Sequence, residues 1–244
     1  QPETAHRYML GLYALLGRLM AAYPGVLFEN CASGGNRFDL GMLSYMPQGW
    51  ISDMCDPVGR LAIIGGASYL FPLDVMAAYI GPSPNHQNGR VSSLRTRFLA
   101  GAFCAARGVS LNEADITAHQ GELADWMAFA QETQSDMVGG RFDRVKKTGN
   151  QVAWQYTTRD AQTVYLAYFH ILSAPNMPAR RVYCVGLEPT ADYRLDAGGD
   201  VYRGDALMQS GLPLPRVSVG EAAPDVALMP AGDFSAHLFV LRRI

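Results

Sequence analysis

The sequence predicts an α/β fold with a parallel sheet over residues 1–138, followed by an antiparallel β fold over residues 139–244. In the first part, short apolar runs alternate with longer amphipathic stretches, and loops rich in Gly, Asn and Asp join them, as in successive strand–helix units. In the second part, β-rich runs are separated by turn-forming clusters, which indicates an antiparallel sheet or a small sandwich. A length of 244 residues suits one large domain or two small ones.

The first strand–helix unit is predicted at the start of the chain. Apolar side chains recur every three or four residues over residues 4–22, which predicts a helix with one face on the core. A turn at residues 23–25 ends this helix. Residues 26–28 form a short apolar run without alternation, which is typical of a strand buried on both faces of a parallel sheet. A polar, glycine-rich loop follows over residues 29–35.

The same alternation continues to about residue 138. Residues 49–52 read as a strand that ends at Asp53. The next segments are predicted, in order, as a helix, a strand, a helix, a strand and a long helix: residues 57–64, 67–71, 94–105, 108–111 and 118–137. With the first strand, these segments make roughly four strand–helix units.

Beyond the glycine pair at residues 139–140 the pattern changes. The β-rich runs there are predicted as strands over residues 152–156, 164–169, 181–185 and 237–241. A cluster of turn residues at positions 196–200 lies between two of them. We therefore place a domain boundary at about residue 140.

Composition and charge argue against several classes of partner. The chain carries 20 Lys and Arg against 22 Asp and Glu, a formal net charge of −2, so no summed positive field favours nucleic acid. No apolar stretch reaches the ~20 residues of a membrane span, and we expect no membrane association. The 4 cysteines are widely spaced without a metal-binding pattern, which argues against a disulfide framework and a structural zinc site and favours reduced thiols in a cytoplasmic location. We expect no metal or organic cofactor.

Ligands of parallel α/β folds bind at the carboxyl ends of the strands, so the loops at those ends are the candidate sites. The loop around Cys31 and Gly34 has small residues that let backbone N–H groups approach a polar ligand, although the same residues suit a tight turn. Cys31 is a candidate nucleophile, but it has no base nearby in the sequence, and the alternative is a buried structural thiol.

The second loop places an aromatic side chain and two carboxylates at a strand end. Trp50 offers a face on which a sugar ring packs, while Asp53 and Asp56 offer carboxylates for sugar hydroxyls or for proton transfer. The alternative for these carboxylates is a helix cap, most directly for Asp56, because Pro57 follows it. In the third loop, residues 84–90, His86 is predicted to be a positioning or subunit-contact residue and not a metal ligand.

Three longer segments follow one another at a characteristic spacing: FENCASGGNRFD at residues 28–39, GMLSYMPQGWISD at residues 41–53 and PNHQNGR at residues 84–90. In this combination the chain resembles glycoside hydrolase family 36, the melibiases, which are retaining α-galactosidases of bacterial type. A weaker similarity continues through residues 174–176 and 204–208 to the end of the chain.

This resemblance implies a fold and an activity. The fold is the C-terminal half of a (β/α)8 TIM barrel over residues 1–138, followed by an antiparallel β-sandwich domain over residues 139–244. The activity is the cleavage, with retention, of terminal α-galactosyl residues from oligosaccharides such as melibiose or raffinose.

The resemblance also implies roles for individual residues. Asp53, which closes the Trp-x-Ser-Asp motif, takes the position of the family's general acid/base. Cys31 and Gly34 take the positions that line the galactose pocket, and Trp50 is expected to contact the substrate. Asp56 and Arg60 match the Asp and Arg that follow in the family pattern, where we expect them to support Asp53.

The chain departs from the family pattern in two ways. Met54 and Cys55 stand where the family prefers polar residues such as Asn and Thr. The family's nucleophile is an aspartate in a Lys-Trp-Asp motif on an earlier strand, and none of Trp50, Trp126 and Trp154 follows a lysine here. The resemblance therefore implies that a missing N-terminal half of the barrel is a partner of this chain, within a homo-oligomeric complete enzyme.

Two other functions stay open at the level of sequence. The chain could be a catalytically inactive fragment that only binds a galactoside or serves as a structural half. Within the same family, transfer of the galactosyl group to another sugar, as in raffinose synthases, is the alternative to hydrolysis.

Overall fold

A computed structural model of the chain describes residues 2–173, 180–214 and 232–244. The first part of the chain forms a four-stranded parallel sheet with helices, and the second part forms a six-stranded antiparallel sheet. Across these described ranges, none of the helices combines the length and the hydropathy needed to cross a membrane.

The strands of the parallel sheet lie side by side in chain order. They are β1 (Glu29–Asn30), β2 (Gln48–Trp50), β3 (Met76–Ile80) and β4 (Ala106–Val109). The helices of this part are α1 (Pro2–Ala22), α2 (Leu40–Leu43), α3 (Pro57–Ala67), α4 (Leu94–Leu99), α5 (Glu113–Ala118) and α6 (Gln120–Glu132), with a 3₁₀ turn over Leu73–Val75. The predicted succession of parallel strands and helices is confirmed.

The second part begins with β5, immediately after the glycine pair. Its strands are β5 (Arg141–Thr148), β6 (Gln151–Thr157), β7 (Thr163–His170), β8 (Arg181–Val182), β9 (Asp192–Leu195), β10 (Val201–Arg203), β11 (Leu212–Pro213) and β12 (Ser235–Arg243), and its helix is α7 (Gly204–Gln209). The large sheet has the order β10-β9-β12-β7-β6-β5, and β11 pairs with β8 in a separate sheet. The predicted antiparallel β fold is confirmed, and the boundary near residue 140 stays a prediction.

The large antiparallel sheet buries both of its faces. Along β7, Tyr165 and Phe169 point into a core that they share with Met76 and Phe103 of the parallel part. Tyr168, between them in sequence, points to the opposite face and packs in a second core. Burying a side chain of this size contributes about 1.5–3 kcal/mol to the free energy of folding. One apolar core therefore joins the two sheets.

One predicted strand lies earlier in the sequence than the observed one. Residues 26–28 were expected to be a buried strand, but β1 begins at Glu29, and Val26 and Leu27 are exposed. Glu29 pairs with Gln48, the first residue of β2, so the ladder between the two strands starts only after the apolar run. Among the described residues, no layer covers the side chains of Val26 and Leu27 at this edge of the sheet.

The strand predicted over residues 67–71 is wrong. This segment is the C-terminal end of α3 and the turns after it, in which the backbone N–H of Phe71 donates to the carbonyl oxygen of Ala67 at 3.0 Å. Tyr69 and Leu70, which looked like strand residues, are exposed. The third strand of the sheet is β3, which follows the 3₁₀ turn.

The remaining differences concern the ends of elements. The helix predicted over residues 4–22 is confirmed as α1. The helix predicted over residues 94–105 ends as α4 at Leu99, and a series of turns follows it. The single helix predicted over residues 118–137 is instead the pair α5 and α6, and only β8 forms within residues 181–185.

Candidate active site

Asp53 lies just beyond the carboxyl end of β2, where the sequence placed it. Its side chain is exposed, and its carboxylate makes no hydrogen bond to any residue that the structure describes. The turn around it is closed by the backbone N–H of Met54, which donates to Oγ of Ser52 at 3.1 Å. A carboxylate without a hydrogen-bond partner at the carboxyl end of a parallel strand is available to a ligand, as in other parallel α/β folds.

The loop that follows β1 contacts Asp53 directly. Gly34 has a φ of +73°, and an ideal Cβ built on it lies 2.8 Å from the backbone N of Asp53 and 3.3 Å from its Cγ. Any larger residue at position 34 would therefore displace Asp53. The small residues of the loop serve this close approach, which is consistent with the tight turn that the sequence left open.

Cys31 lies at the start of the same loop. The sequence suggested that it could be a buried structural thiol, and this is wrong, because its side chain is exposed. The loop is anchored instead by buried Asn30, whose Nδ2 donates to the carbonyl oxygen of Arg37 at 2.5 Å. Cys31, Gly34 and Asp53 thus all lie beyond the carboxyl ends of β1 and β2. Their contact with a sugar stays a prediction.

Asp56 is fully enclosed and caps α3, as its position before a proline suggested. Its Oδ2 accepts a hydrogen bond from the backbone N–H of Gly59 at 2.9 Å. The same oxygen forms an ion pair with Arg90 of the third loop. Its Oδ1 is buried and has no hydrogen-bond partner in the described part of the chain. A carboxylate that is held in this way orients α3 and the third loop.

Arg60 holds the backbone next to Asp53. Its Nη2 and Nε donate to the carbonyl oxygen of Met54 at 2.8 and 3.3 Å, and its Nη1 donates to the carbonyl oxygen of Tyr79. The guanidinium is buried, and this burial lowers the pKa of Arg60 from its ordinary value. These contacts fit the predicted supporting role, which stays a prediction.

Trp50 packs beside Tyr79 on the adjacent strand. The two rings meet edge to face, with centroids 4.8 Å apart and planes at 76°. The guanidinium of Arg60 lies 4.6 Å from the centroid of the Tyr79 ring. Burial and the neighbouring Cys55 thiol raise the pKa of Tyr79. Trp50 is half-buried, so part of its ring is accessible, and its contact with substrate stays a prediction.

No specific role was predicted for the amide side chains of the third loop. Asn85 Nδ2 donates to Sγ of Cys55 at 3.2 Å, and Gln87 bonds to the backbone on both sides of Met54. His86 is exposed, with Nδ1 3.6 Å from Sγ of Cys55. In the ranges covered by the structure, no cluster of His, Cys, Asp and Glu is suited to a metal ion.

The third loop is itself fixed by a buried ion pair. Arg97 on α4 and Asp115 on α5 are both almost completely buried and form a two-point contact. Arg97 also donates to the carbonyl oxygen of Gly81 at 2.9 Å, and Asp115 accepts from the backbone N–H of Ser83 at 3.2 Å. Burial alone would raise the pKa of Asp115, but the bonds from Arg97 outweigh it and lower that pKa.

Comparisons with known proteins find matches for both parts of the chain. Residues 1–140 match the Melibiase family, and residues 151–241 match the Glycosyl hydrolase family 36 C-terminal domain. The weakly similar residues 204–208 lie in α7, whereas residues 174–176 are outside the described residues.

Several curated relatives are named α-galactosidases. AgaA of Geobacillus stearothermophilus is 40% identical over 221 residues, which are 88% of this chain and 30% of the relative. Alpha-galactosidase 1 of Pediococcus pentosaceus is 38% identical over 223 residues, which are 89% of this chain and 30% of the relative. The chain thus spans about 30% of the length of these relatives.

Solved structures show the same similarity in three dimensions. A crystal structure of a variant of the GH36 α-galactosidase AgaA from G. stearothermophilus, in complex with raffinose, has a TM-score of 0.90 and 36% identity, and the match covers 100% of this chain and 32% of that one. The α-galactosidase from Lactobacillus brevis has a TM-score of 0.87 and 37% identity, and covers 98% of this chain and 32% of that one.

Proposed function

Because the chain belongs to glycoside hydrolase family 36, we propose that it supplies the acid/base half of a retaining α-galactosidase site. The observation that carries this proposal is the free carboxylate of Asp53 at the carboxyl end of β2, with Gly34 packed against it. The substrate class is an oligosaccharide with a terminal α-galactosyl residue, such as raffinose or melibiose. The complex of the AgaA variant with raffinose supports this class by similarity.

The mechanism assigns two successive tasks to Asp53. A retaining enzyme uses two carboxyl groups ~5–5.5 Å apart, one of which attacks the anomeric carbon. Asp53 protonates the oxygen of the departing sugar in this first step. In the second step, the ionised Asp53 accepts a proton from the water that cleaves the galactosyl–enzyme bond. The same carboxylate is thus needed as an acid and then as a base.

The nucleophile and the remaining strands of the barrel come, in this proposal, from polypeptide outside the chain. An eight-stranded barrel typically takes ~250 residues, whereas the residues that the structure describes form four parallel strands. The exposed Val26 and Leu27 beside β1 support a covering layer at that edge. We therefore expect the 244-residue chain alone to show no turnover of p-nitrophenyl α-galactoside, and measurable burst kinetics from it would contradict this part of the proposal.

The main test replaces Asp53 in the native enzyme, by which we mean the complete polypeptide that carries this chain. Asp53→Ala should lower raffinose hydrolysis by about 10²–10⁴-fold, because the departing sugar then leaves without a proton. With an activated aryl α-galactoside, azide should partly restore turnover, since it attacks the galactosyl–enzyme intermediate without a base.

Asp125→Ala is the matched control, because Asp125 is an exposed carboxylate on α6, outside the three loops that form the candidate site. It should hydrolyse raffinose as the unmodified enzyme does. Full raffinose activity in Asp53→Ala would refute the acid/base assignment. Analysis of the products separates hydrolysis, which releases galactose, from transfer of galactose to a second sugar.

A further inference from the structure

We propose that Gln87 is a positioning residue for Asp53: its side-chain amide holds the short peptide segment that carries the acid/base carboxylate. This inference rests on the function proposed above for Asp53. Gln87 does not touch the reacting atoms in this role, and it acts through the backbone of residues 53–55.

The amide of Gln87 contacts both sides of this segment. Its Nε2 donates to the carbonyl oxygen of Asp53 at 3.2 Å. Its Oε1 accepts from the backbone N–H of Cys55 at 3.2 Å and lies 3.2 Å from Sγ of the same residue. A primary amide offers a donor and an acceptor at once, so one side chain replaces the ladder that a neighbouring strand would provide.

Gln87 lies in a turn that is closed by hydrogen bonds of its own. Buried Asn85 accepts from the backbone N–H of Gln87 through Oδ1 at 3.0 Å. The backbone of Asn85 bonds to Arg90 at 2.8 Å and to Gly89 at 2.7 Å, which closes the loop. These bonds do not involve the side chain of Gln87, so its replacement leaves the turn intact.

The consequence for catalysis follows from the freedom of the Asp53 side chain. Its carboxylate has no hydrogen-bond partner among the described residues, so its direction depends on the position of its backbone. Gly34 limits the movement of that backbone by its close approach to the N of Asp53, and Gln87 holds it by a hydrogen bond to the carbonyl oxygen. A displacement of about 1 Å at such a group costs up to ~10²-fold in rate.

The experiment uses Gln87→Met and Gln87→Glu in the native enzyme. Methionine has nearly the same length and no amide, so it removes all of the bonds to residues 53–55. Glutamate keeps the acceptor for Cys55 but cannot donate to the carbonyl oxygen of Asp53. The control is Asn88→Asp, which adds the same charge to the loop and keeps the acceptor oxygen that binds the N–H of Arg90 at 3.0 Å.

The measurement compares kcat/KM for two substrates that differ in their need for an acid. Raffinose requires protonation of its departing sugar, whereas 2,4-dinitrophenyl α-galactoside does not. We expect Gln87→Met to lower kcat/KM for raffinose by about 10–100-fold and for the dinitrophenyl substrate by less than about threefold. Gln87→Glu should show the same selective loss, and Asn88→Asp should retain both activities.

Equal losses for the two substrates, or losses no larger than those of Asn88→Asp, would overturn the inference, because a merely structural role does not discriminate between leaving groups. Failure of the proposed function is distinguishable from this result. If Asp53→Ala retains raffinose activity, the function itself is refuted. If Asp53→Ala is inactive while Gln87→Met behaves like Asn88→Asp, only the role of Gln87 is refuted.

Discussion

The two sheets of this chain fix their side chains in different ways. In the antiparallel sheet, β7 and β12 pair continuously from Thr163 with Arg242 to His170 with Ser235, and this ladder sets the direction of every side chain. In the parallel sheet, β1 has 2 residues and β2 has 3, and single side chains such as Gln87 hold the loops beyond them. The candidate site therefore depends on individual contacts, whereas the sheet beside it depends on a shared framework.

The largest expected effect, and the one that would break this contrast most directly, comes from truncating a core side chain of the antiparallel sheet. Phe169→Ala should lower the free energy of unfolding by about 3–5 kcal/mol, because the side chain is buried in the core that joins the two sheets. It should also increase amide hydrogen exchange in α4, which packs against β12 near this core.

Tyr168→Ala is the matched control on the same strand. Its side chain is equally buried but belongs to the second core, on the far face of the sheet. We expect a comparable loss of stability, with the increase in exchange confined to β8 and α7. Equal increases in α4 for both variants, measured by mass spectrometry, would contradict the separation of the two faces.

The next largest effect should come from breaking a buried ion pair of the first part of the chain, compared with an exposed ion pair of the antiparallel sheet. Arg97→Ala should lower the free energy of unfolding by about 3 kcal/mol, because it leaves Asp115 buried without its charged partner. In the antiparallel sheet, Arg242 pairs with Asp196 at 3.0 Å, but their side chains are 56% and 41% exposed. Arg242→Ala should therefore cost less than about 1 kcal/mol. Urea unfolding followed by tryptophan fluorescence measures the stability of both variants. Similar losses in the free energy of unfolding would show that burial does not determine how much each ion pair contributes.

The smallest expected effect concerns the close approach of the loop that follows β1 to Asp53. Gly34 and Gly89 both have a φ of +73°, but only an added Cβ at position 34 meets another residue. Both Gly→Ala variants carry the same backbone strain, so Gly89→Ala measures the cost of that strain alone, and Gly34→Ala should lose more stability because its Cβ also meets Asp53. Gly34→Ala alone should lower kcat/KM for raffinose by about tenfold or more, because it displaces Asp53. Equal activities of the two variants in the native enzyme would show that this contact is not needed.

Features that depend on neighbouring residues were predictable from the sequence. Asp56 directly precedes Pro57, and this local signal correctly indicated the cap of α3. The prediction of a strand at residues 67–71 was wrong because a short apolar run at the end of a helix has the same sequence pattern as a short buried strand. Only the structure shows that Tyr69 and Leu70 face solvent.

The contacts that position the site were not predictable for a different reason. Gln87 and Asp53 are 34 residues apart, as are Arg90 and Asp56. An amide side chain can bond to almost any backbone group, so its residue type does not indicate its partner. The order of the loops along the chain predicted which of them meet, but the bonds between them required coordinates.

The face of β6 and β7 that packs against the parallel part also limits how such a chain can evolve. Trp154 and Phe169 interlock with side chains contributed from before residue 140. Recombination that exchanged the first part for that of a distant relative would pack side chains of different size and shape against these rings. The two parts are therefore best inherited as a unit, and viable exchanges would have to carry matching changes on β6 and β7.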